Sequence, residues 1–160
     1  MKKQIVLLMI FAGLAMASHA QNYDHALGLR GGPFSGITYK QHLSSGNYLE
    51  GVASFRWRGF LVTGLYEMSA VIDEATPGLT WYYGFGAHVG FWSGYYDNAW
   101  FDEDGDSYTA IGVDGIIGIE YTFEDVPINI SADWKPAINL IGTSSALGIG
   151  SGAASIRYTF

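Results

Sequence analysis

From Gln21 onward the chain alternates apolar and polar positions with a period of two, the spacing at which an extended strand sends successive side chains to opposite faces. No helical period competes with it. The alternation predicts strands near 24–32, 36–43, 47–57, 60–72, 79–92, 108–122, 128–136 and 147–160, an all-β chain. One face of the first four segments carries Leu27, Leu29, Ile37, Tyr39, Leu49, Ala53, Phe55, Trp57, Phe60, Val62, Tyr66 and Met68. The same face continues through Tyr83, Phe85, Ala87, Val89, Phe91, Ile111, Val113, Ile117, Ile119 and Tyr121. It ends with Ile128, Ile130, Ala132, Trp134, Ile156, Tyr158 and Phe160, and no charged residue interrupts it.

The opposite face carries Arg30, Lys40, Glu50, Arg56, Glu67, His88, Asp114, Glu120, Asp133, Lys135 and Arg157, spaced by Gly, Ser, Thr and Asn. Histidine aside, bases and acids balance on it. Leu61, Leu65, Ile116 and Ile149 fall on this face as well. A soluble sandwich or ligand-binding barrel would bury the apolar face and solvate the charged one. A transmembrane barrel reverses the assignment, with apolar side chains in lipid and polar groups along the lumen.

Three features favour the reversed assignment. Tyr39, Trp57, Tyr66, Trp81, Tyr121, Trp134 and Tyr158 sit toward predicted strand ends, where amphipathic rings suit the headgroup level. Gly28, Gly32, Gly84, Gly86, Gly90, Gly112 and Gly118 lie on the polar face, where they would leave room in a narrow interior; a solvated face has no use for residues that weaken strands. Spans of about 9 to 11 residues cross a bilayer as tilted strands, and the chain has length for all of them. The lumen of so small a barrel is filled by side chains, so its charges must pair. The expectation is a network of Arg30, Lys40, Arg56, Lys135 and Arg157 with Glu50, Glu67, Asp114, Glu120 and Asp133 that closes the lumen to ions.

The first twenty residues follow a different rule. Lys2 and Lys3 precede the apolar run Ile5 to Ala17 and the small-x-small site Ser18-His19-Ala20, the order of a cleaved secretory signal. The expected organisation is a signal peptide over 1–20 and a barrel domain over 21–160. The formal charge of −7 becomes −9 once Lys2 and Lys3 are removed, which argues against nucleic acid as a partner. Cysteine is absent, which excludes disulfide staples and thiolate metal sites. The excess acids lie outside the strand interiors, at Asp24, Asp73, Glu74, Asp97, Asp102, Glu103, Asp104, Asp106, Glu124 and Asp125.

The final run Ile156-Arg157-Tyr158-Thr159-Phe160 resembles the carboxy-terminal strand by which bacterial outer-membrane barrels are recognised for assembly, with Tyr158 and Phe160 at its two aromatic positions. Ser155 stands where that pattern commonly has glycine. Together with Ala26-Leu27-Gly28-Leu29-Arg30-Gly31-Gly32 and Gly64-Leu65-Tyr66-Glu67, the chain resembles small OmpA/OmpX-like barrels of the Bacteroidota type. The resemblance implies an eight-stranded antiparallel up-and-down transmembrane β-barrel in the outer membrane of a Gram-negative bacterium. It implies termini and short turns in the periplasm, at Ser44-Ser45-Gly46, Asp73 to Gly78 and Glu124 to Pro127, with Ser93 to Ser107 outside the cell. The external connections at Gly32 to Ser35 and Arg58-Gly59 are then unusually short. The implied partners are outer-membrane lipid and lipopolysaccharide, the barrel assembly machinery, and a surface or envelope protein ligand. Exposed aromatics supply anchor area, so Tyr95, Tyr96, Trp100 and Phe101 are the expected external contact surface.

Four function classes follow: a structural or surface-interacting membrane barrel, a membrane-embedded enzyme acting on lipid A or phospholipid, a narrow channel, and a soluble periplasmic ligand-binding barrel. The first is the leading expectation. Asp102, Asp104 and Asp106, with Asp97 and Glu103, offer oxygen ligands of the kind Ca²⁺ prefers, yet the loop lacks the glycine and the glutamate of an EF-hand; a solvated acidic loop is the simpler reading. His88 could act as a general base, but neither it nor His42 or His25 has the adjacent serine of the acyl hydrolases found on barrel strands. Glu50 with Glu67, or Asp114 with Glu120, could form a glycosidase pair only in an open lumen. Gly148-Ile149-Gly150-Ser151-Gly152 lacks the lysine of a phosphate loop and opens no helix. No catalytic residue, metal or cofactor is implied.

Overall fold

The computed structural model describes residues 23–56, 59–72, 76–92, 108–141 and 147–160, with side chains throughout except at residues 56, 108 and 147–149. The described chain is a closed antiparallel barrel of β1 (His25–Gly31), β2 (Ser35–Ser44), β3 (Asn47–Arg56), β4 (Gly59–Val71), β5 (Leu79–Trp92), β6 (Tyr108–Thr122), β7 (Ile128–Ile141) and β8 (Leu147–Thr159). Each strand pairs with its sequence neighbours, and β1 pairs with β8 to close the wall. The alternation therefore yields eight strands, as expected. One end of the barrel carries Tyr23 and Phe160 and is called the terminal rim; the other is the far rim.

The hydrogen-bonded partners fix the shape. Starting at Glu120 and stepping through Ser131, Ser155, Arg30, Gly36, Ser54, Leu61 and Gly90 leads back to β6 at Ala110, ten residues from the start. A shear of ten over eight strands corresponds to a tilt of about 41° and a backbone radius of about 8 Å. Such a tube has room for side chains and little else.

Local sequence explains the tight curvature. The β2–β3 hairpin turns on Ser45 (φ 49°) and Gly46 (φ 80°), a two-residue loop with both central residues left-handed, as the twist of paired strands demands. A Cβ on inward-facing Gly86 would collide with the carbonyl oxygen of Gly64 across the β4–β5 ladder, and one on Gly84 with that of Tyr66. At these two positions glycine lets neighbouring backbones close in, while at Gly112 and Gly118 an added Cβ would also meet the His88 and Tyr82 side chains, so there glycine leaves room in the lumen as expected. The short far-rim connection from Gly32 to Ser35 is accommodated by short strands: β1 ends at Gly31 and β2 begins at Ser35, low on that side of the wall, while Arg58 of the other short connection lies outside the described residues.

One boundary differs by more than a residue. β7 runs to Ile141, five residues beyond the expected end at 136, so Trp134 sits in the middle of its strand rather than near an end. The strand continues past Pro136 through an irregularity in its pairing with β8.

Candidate functional site: the charged interior

The interior inverts the usual arrangement. Lys40, Glu50, Glu67 and Arg157 have relative exposures of 0–1%, whereas Leu29, Phe85 and Leu140 on the outer face stand at 65%, 63% and 66%. Of the ten charged residues expected on the inner face, nine have described side chains, and all nine are buried. The side chain of Arg56 lies outside the described residues, as do Trp57, the acidic residues 97–106 and the aromatic contact residues Tyr95, Tyr96, Trp100 and Phe101.

Arg157, on β8, reaches across the terminal half of the lumen. Its Nη2 forms an ion pair with Glu50 on β3, and its Nη1 donates to Ser131 Oγ (2.8 Å) and Asn129 Oδ1 (3.1 Å) on β7. Asn129 is oriented for this by donating its own Nδ2 to Thr122 Oγ1 at 2.9 Å. Thr38 on β2 donates its hydroxyl to Glu50. Lys40, also on β2, lies 2.8 Å from Glu120 Oε2 and 2.9 Å from Glu67 Oε2, with its ammonium 4.4 Å from the Tyr82 ring centre and 4.7 Å from that of Tyr48. Arg30 grips Asp133 with both terminal guanidinium nitrogens, and Tyr82 donates to the same carboxylate at 2.9 Å. The bidentate fork is the strong form of such a contact.

A second cluster lies toward the far rim. Lys135 pairs with Asp114, whose other oxygen is 2.7 Å from His88 Nδ1. The remaining ring nitrogen of His88 meets Asn139 Oδ1 at 3.0 Å. A carboxylate–histidine arrangement poised for nucleophilic catalysis would present a hydroxyl at that nitrogen. Here an amide occupies the position. The two clusters are separated by an apolar group, Val52, Leu65, Tyr82 and Ile116, packed across the lumen from four strands. Leu65 and Ile116, which the alternation placed on the charged face, belong to this group.

At the terminal rim Tyr23 folds into the mouth of the barrel against Ala26 and Tyr48, with its ring 5.6 Å from that of Tyr48. Burial pushes the Tyr23 phenol above its ordinary range, and its hydroxyl has no hydrogen-bond partner among the described residues. Glu50 Oε2 and both Glu67 oxygens also lack one, although Glu67 Oε2 lies close to the Lys40 ammonium. Five interior carboxylates face four cations with described side chains, so Lys40 serves both Glu67 and Glu120.

Thr38, Asn129, Ser131, Tyr82 and Asn139 join the network without having been singled out in the sequence. The first three share the parity of Lys40 and Asp133 along their strands and were open to discovery by alternation alone. Tyr158 and Phe160 close the wall: Tyr158 is paired with Leu27 of β1 and Ile128 of β7, and Phe160 exchanges two 2.9 Å backbone bonds with His25. The Phe160 ring stacks on Tyr158 and lies 5.6 Å from the His25 ring. Among the described residues no group of three or more His, Cys, Asp or Glu could hold a metal ion. No known family, curated protein or solved structure matches this chain.

Proposed function

We propose that this chain is an OmpA/OmpX-like transmembrane barrel, directed by a cleaved signal peptide to the outer membrane of a Gram-negative bacterium, where it has a structural or surface-interacting role. The inverted burial carries the reading. An isolated ion is costly to bury and an aliphatic side chain is costly to leave in water, so a surface of Leu, Ile, Phe and Val around an ionic interior suits lipid. Among the described residues, every Asp, Glu, Lys and Arg with a described side chain on a strand points inward, while exposed Asp24, Glu124 and Asp125 lie at the terminal rim.

The aromatic residues supply an independent scale. On β5, Trp81 stacks on Tyr83 near the terminal rim and Phe91 lies near the far rim. The interval from Trp81 to Phe91 rises about 25 Å along the barrel axis at the tilt given above, the height of the apolar band between aromatic girdles in outer-membrane barrels. Near the terminal rim the rings of Tyr121 and Phe123 and of His25 and Phe160 extend the same girdle.

The ionic network and its apolar layer support a lumen closed to ions. Tyr158 and Phe160 fit recognition by the assembly machinery, and Tyr95, Tyr96, Trp100 and Phe101 are proposed to meet lipopolysaccharide or an envelope protein. Gel electrophoresis with and without boiling tests the membrane reading: the folded protein in detergent should migrate apart from its heated form and resist carbonate extraction from membranes. Release into the soluble fraction would defeat the proposal, and steady conductance in planar bilayers would defeat the closed lumen.

A further inference from the structure

We infer that the far half of the β6–β7 wall is a lateral gate, held shut by the Lys135–Asp114 ion pair where Pro136 interrupts the backbone ladder. A proline inside a sheet removes a donor and is tolerated at edges and bulges. Pro136 is in the interior of β7. On the β6 side, pairing runs from Thr122↔Asn129 up to Ile117↔Trp134 and resumes only at Asp114↔Ala137, so Gly115 and Ile116 have no rung. On the β8 side the register jumps from Lys135↔Ser151 to Ala137↔Gly148, which sets Ile149 and Gly150 against one residue.

Two glycines flank Pro136 at this height. Gly115 lies on the outer face beside the Pro136 ring, 3.3 Å from Pro136 Cγ to the position of an added Cβ, and Gly150 lies against the backbone of the same proline. Above the gap the β6–β7 ladder holds only the pairs from Asp114↔Ala137 to Ile111↔Ile141, and it is irregular there.

The interior side chains sit where these rungs are missing. Lys135 immediately precedes Pro136 and Asp114 immediately precedes Gly115, so their ion pair joins β7 to β6 at the edge of the gap. Asp114 is tied to β5 through His88, and His88 returns to β7 through Asn139. Three strands are thus stitched by side chains beside a gap in the β6–β7 backbone ladder. Losing one member of a buried pair strands the other, which converts the clasp into a wedge.

Segment-resolved hydrogen exchange of the full chain folded in detergent tests the gate and is independent of the membrane reading. Peptides covering 111–114 and 137–141 should exchange faster than those covering 117–122 and 128–134. Asp114→Asn, and separately Lys135→Met, should raise exchange in the first pair by roughly tenfold or more while the second pair stays within about twofold. Pro136→Ala in either background should slow the first pair again, because it returns an N–H to the strand. Uniform acceleration across both halves, no acceleration in either variant, or no slowing by Pro136→Ala would each overturn the inference. Should one clasp variant fail to fold, the other and the wild-type contrast still decide.

Discussion

Arg157→Met is the sharpest perturbation of the interior. Methionine keeps much of the volume and removes the charge, which leaves Glu50 buried with the Thr38 hydroxyl and the neighbouring Glu67 carboxyl as its remaining partners and frees Ser131 and Asn129 of their donor. Removing one partner of a buried ion pair costs about 3–5 kcal/mol, most of it from the stranded charge. Glu50→Gln should cost a similar amount, because Arg157 is then the uncompensated ion. The double variant removes both charges and should lose only about 1–2 kcal/mol, giving a coupling of several kcal/mol between the two positions. Urea unfolding of the barrel in detergent micelles, followed by tryptophan fluorescence and the heat-dependent gel shift, reads all four corners. A cost below about 1 kcal/mol for Arg157→Met, or a double variant as unstable as the sum of the singles, would refute the view that these ions are dry and paired.

Phe85→Arg, at an outward position near mid-wall, should cost about 2–4 kcal/mol for folding into phospholipid vesicles, whereas a water-facing site would tolerate it within about 0.5 kcal/mol. Gly86→Ala should destabilise by about 1–3 kcal/mol, because its Cβ meets a neighbouring carbonyl, while Gly51→Ala, with nothing within 4 Å, should be neutral; urea midpoints compare the two. Tyr23→Phe should be neutral or slightly stabilising, since the hydroxyl has no partner to lose, but Tyr23→Ala should cost about 3–5 kcal/mol by emptying the mouth of the barrel. His88→Ala should leave lipid A acylation unchanged by mass spectrometry, because the ring is fastened between Asp114 and Asn139; an altered acyl count would put catalysis back at this site.

The strands were legible because a barrel wall with one apolar and one polar face writes a period of two into every segment. Where both faces carry apolar groups the period loses its voice. Val52 points inward between outward-facing Gly51 and Ala53, so the larger apolar residue lies on the charged side. Tyr82 sits in the run Trp81-Tyr82-Tyr83, where three aromatics in succession give alternation nothing to read. Both belong to the apolar layer that divides the two ionic clusters. The end of β7 was hidden for another reason: Pro136 supplies no donor, and only the bulge against β8 and the side chains behind it allow the strand to continue. Tyr23 precedes the first strand and has no periodic partner, so nothing local announced that it would seal the rim.

Lys135 and Asp114 sit on neighbouring strands, but which acid meets which base in the other pairs was not legible, and the geometry says why. Arg30 and Asp133 are on β1 and β7, Lys40 and Glu120 on β2 and β6, Arg157 and Glu50 on β8 and β3. None of these pairs joins adjacent strands. Each is a chord across the lumen whose ends coincide only when the wall closes with the observed shear, because a shift of two residues at the β1–β8 seam would keep every side chain on its face and move every chord out of reach. On the membrane reading proposed above, the apolar outer face cannot enforce that register, since lipid would accept any arrangement of Leu, Ile and Phe equally well. The register is therefore specified from inside, and Arg157→Met/Glu50→Gln, though close to wild type in stability, should be the variant in which the seam pairs Gly28↔Arg157 and Leu29↔Ile156 lose definition first. Hydrogen exchange confined to β1 and β8 is the expected signature, and seam protection equal to wild type would show that backbone pairing and glycine placement suffice to fix the closure.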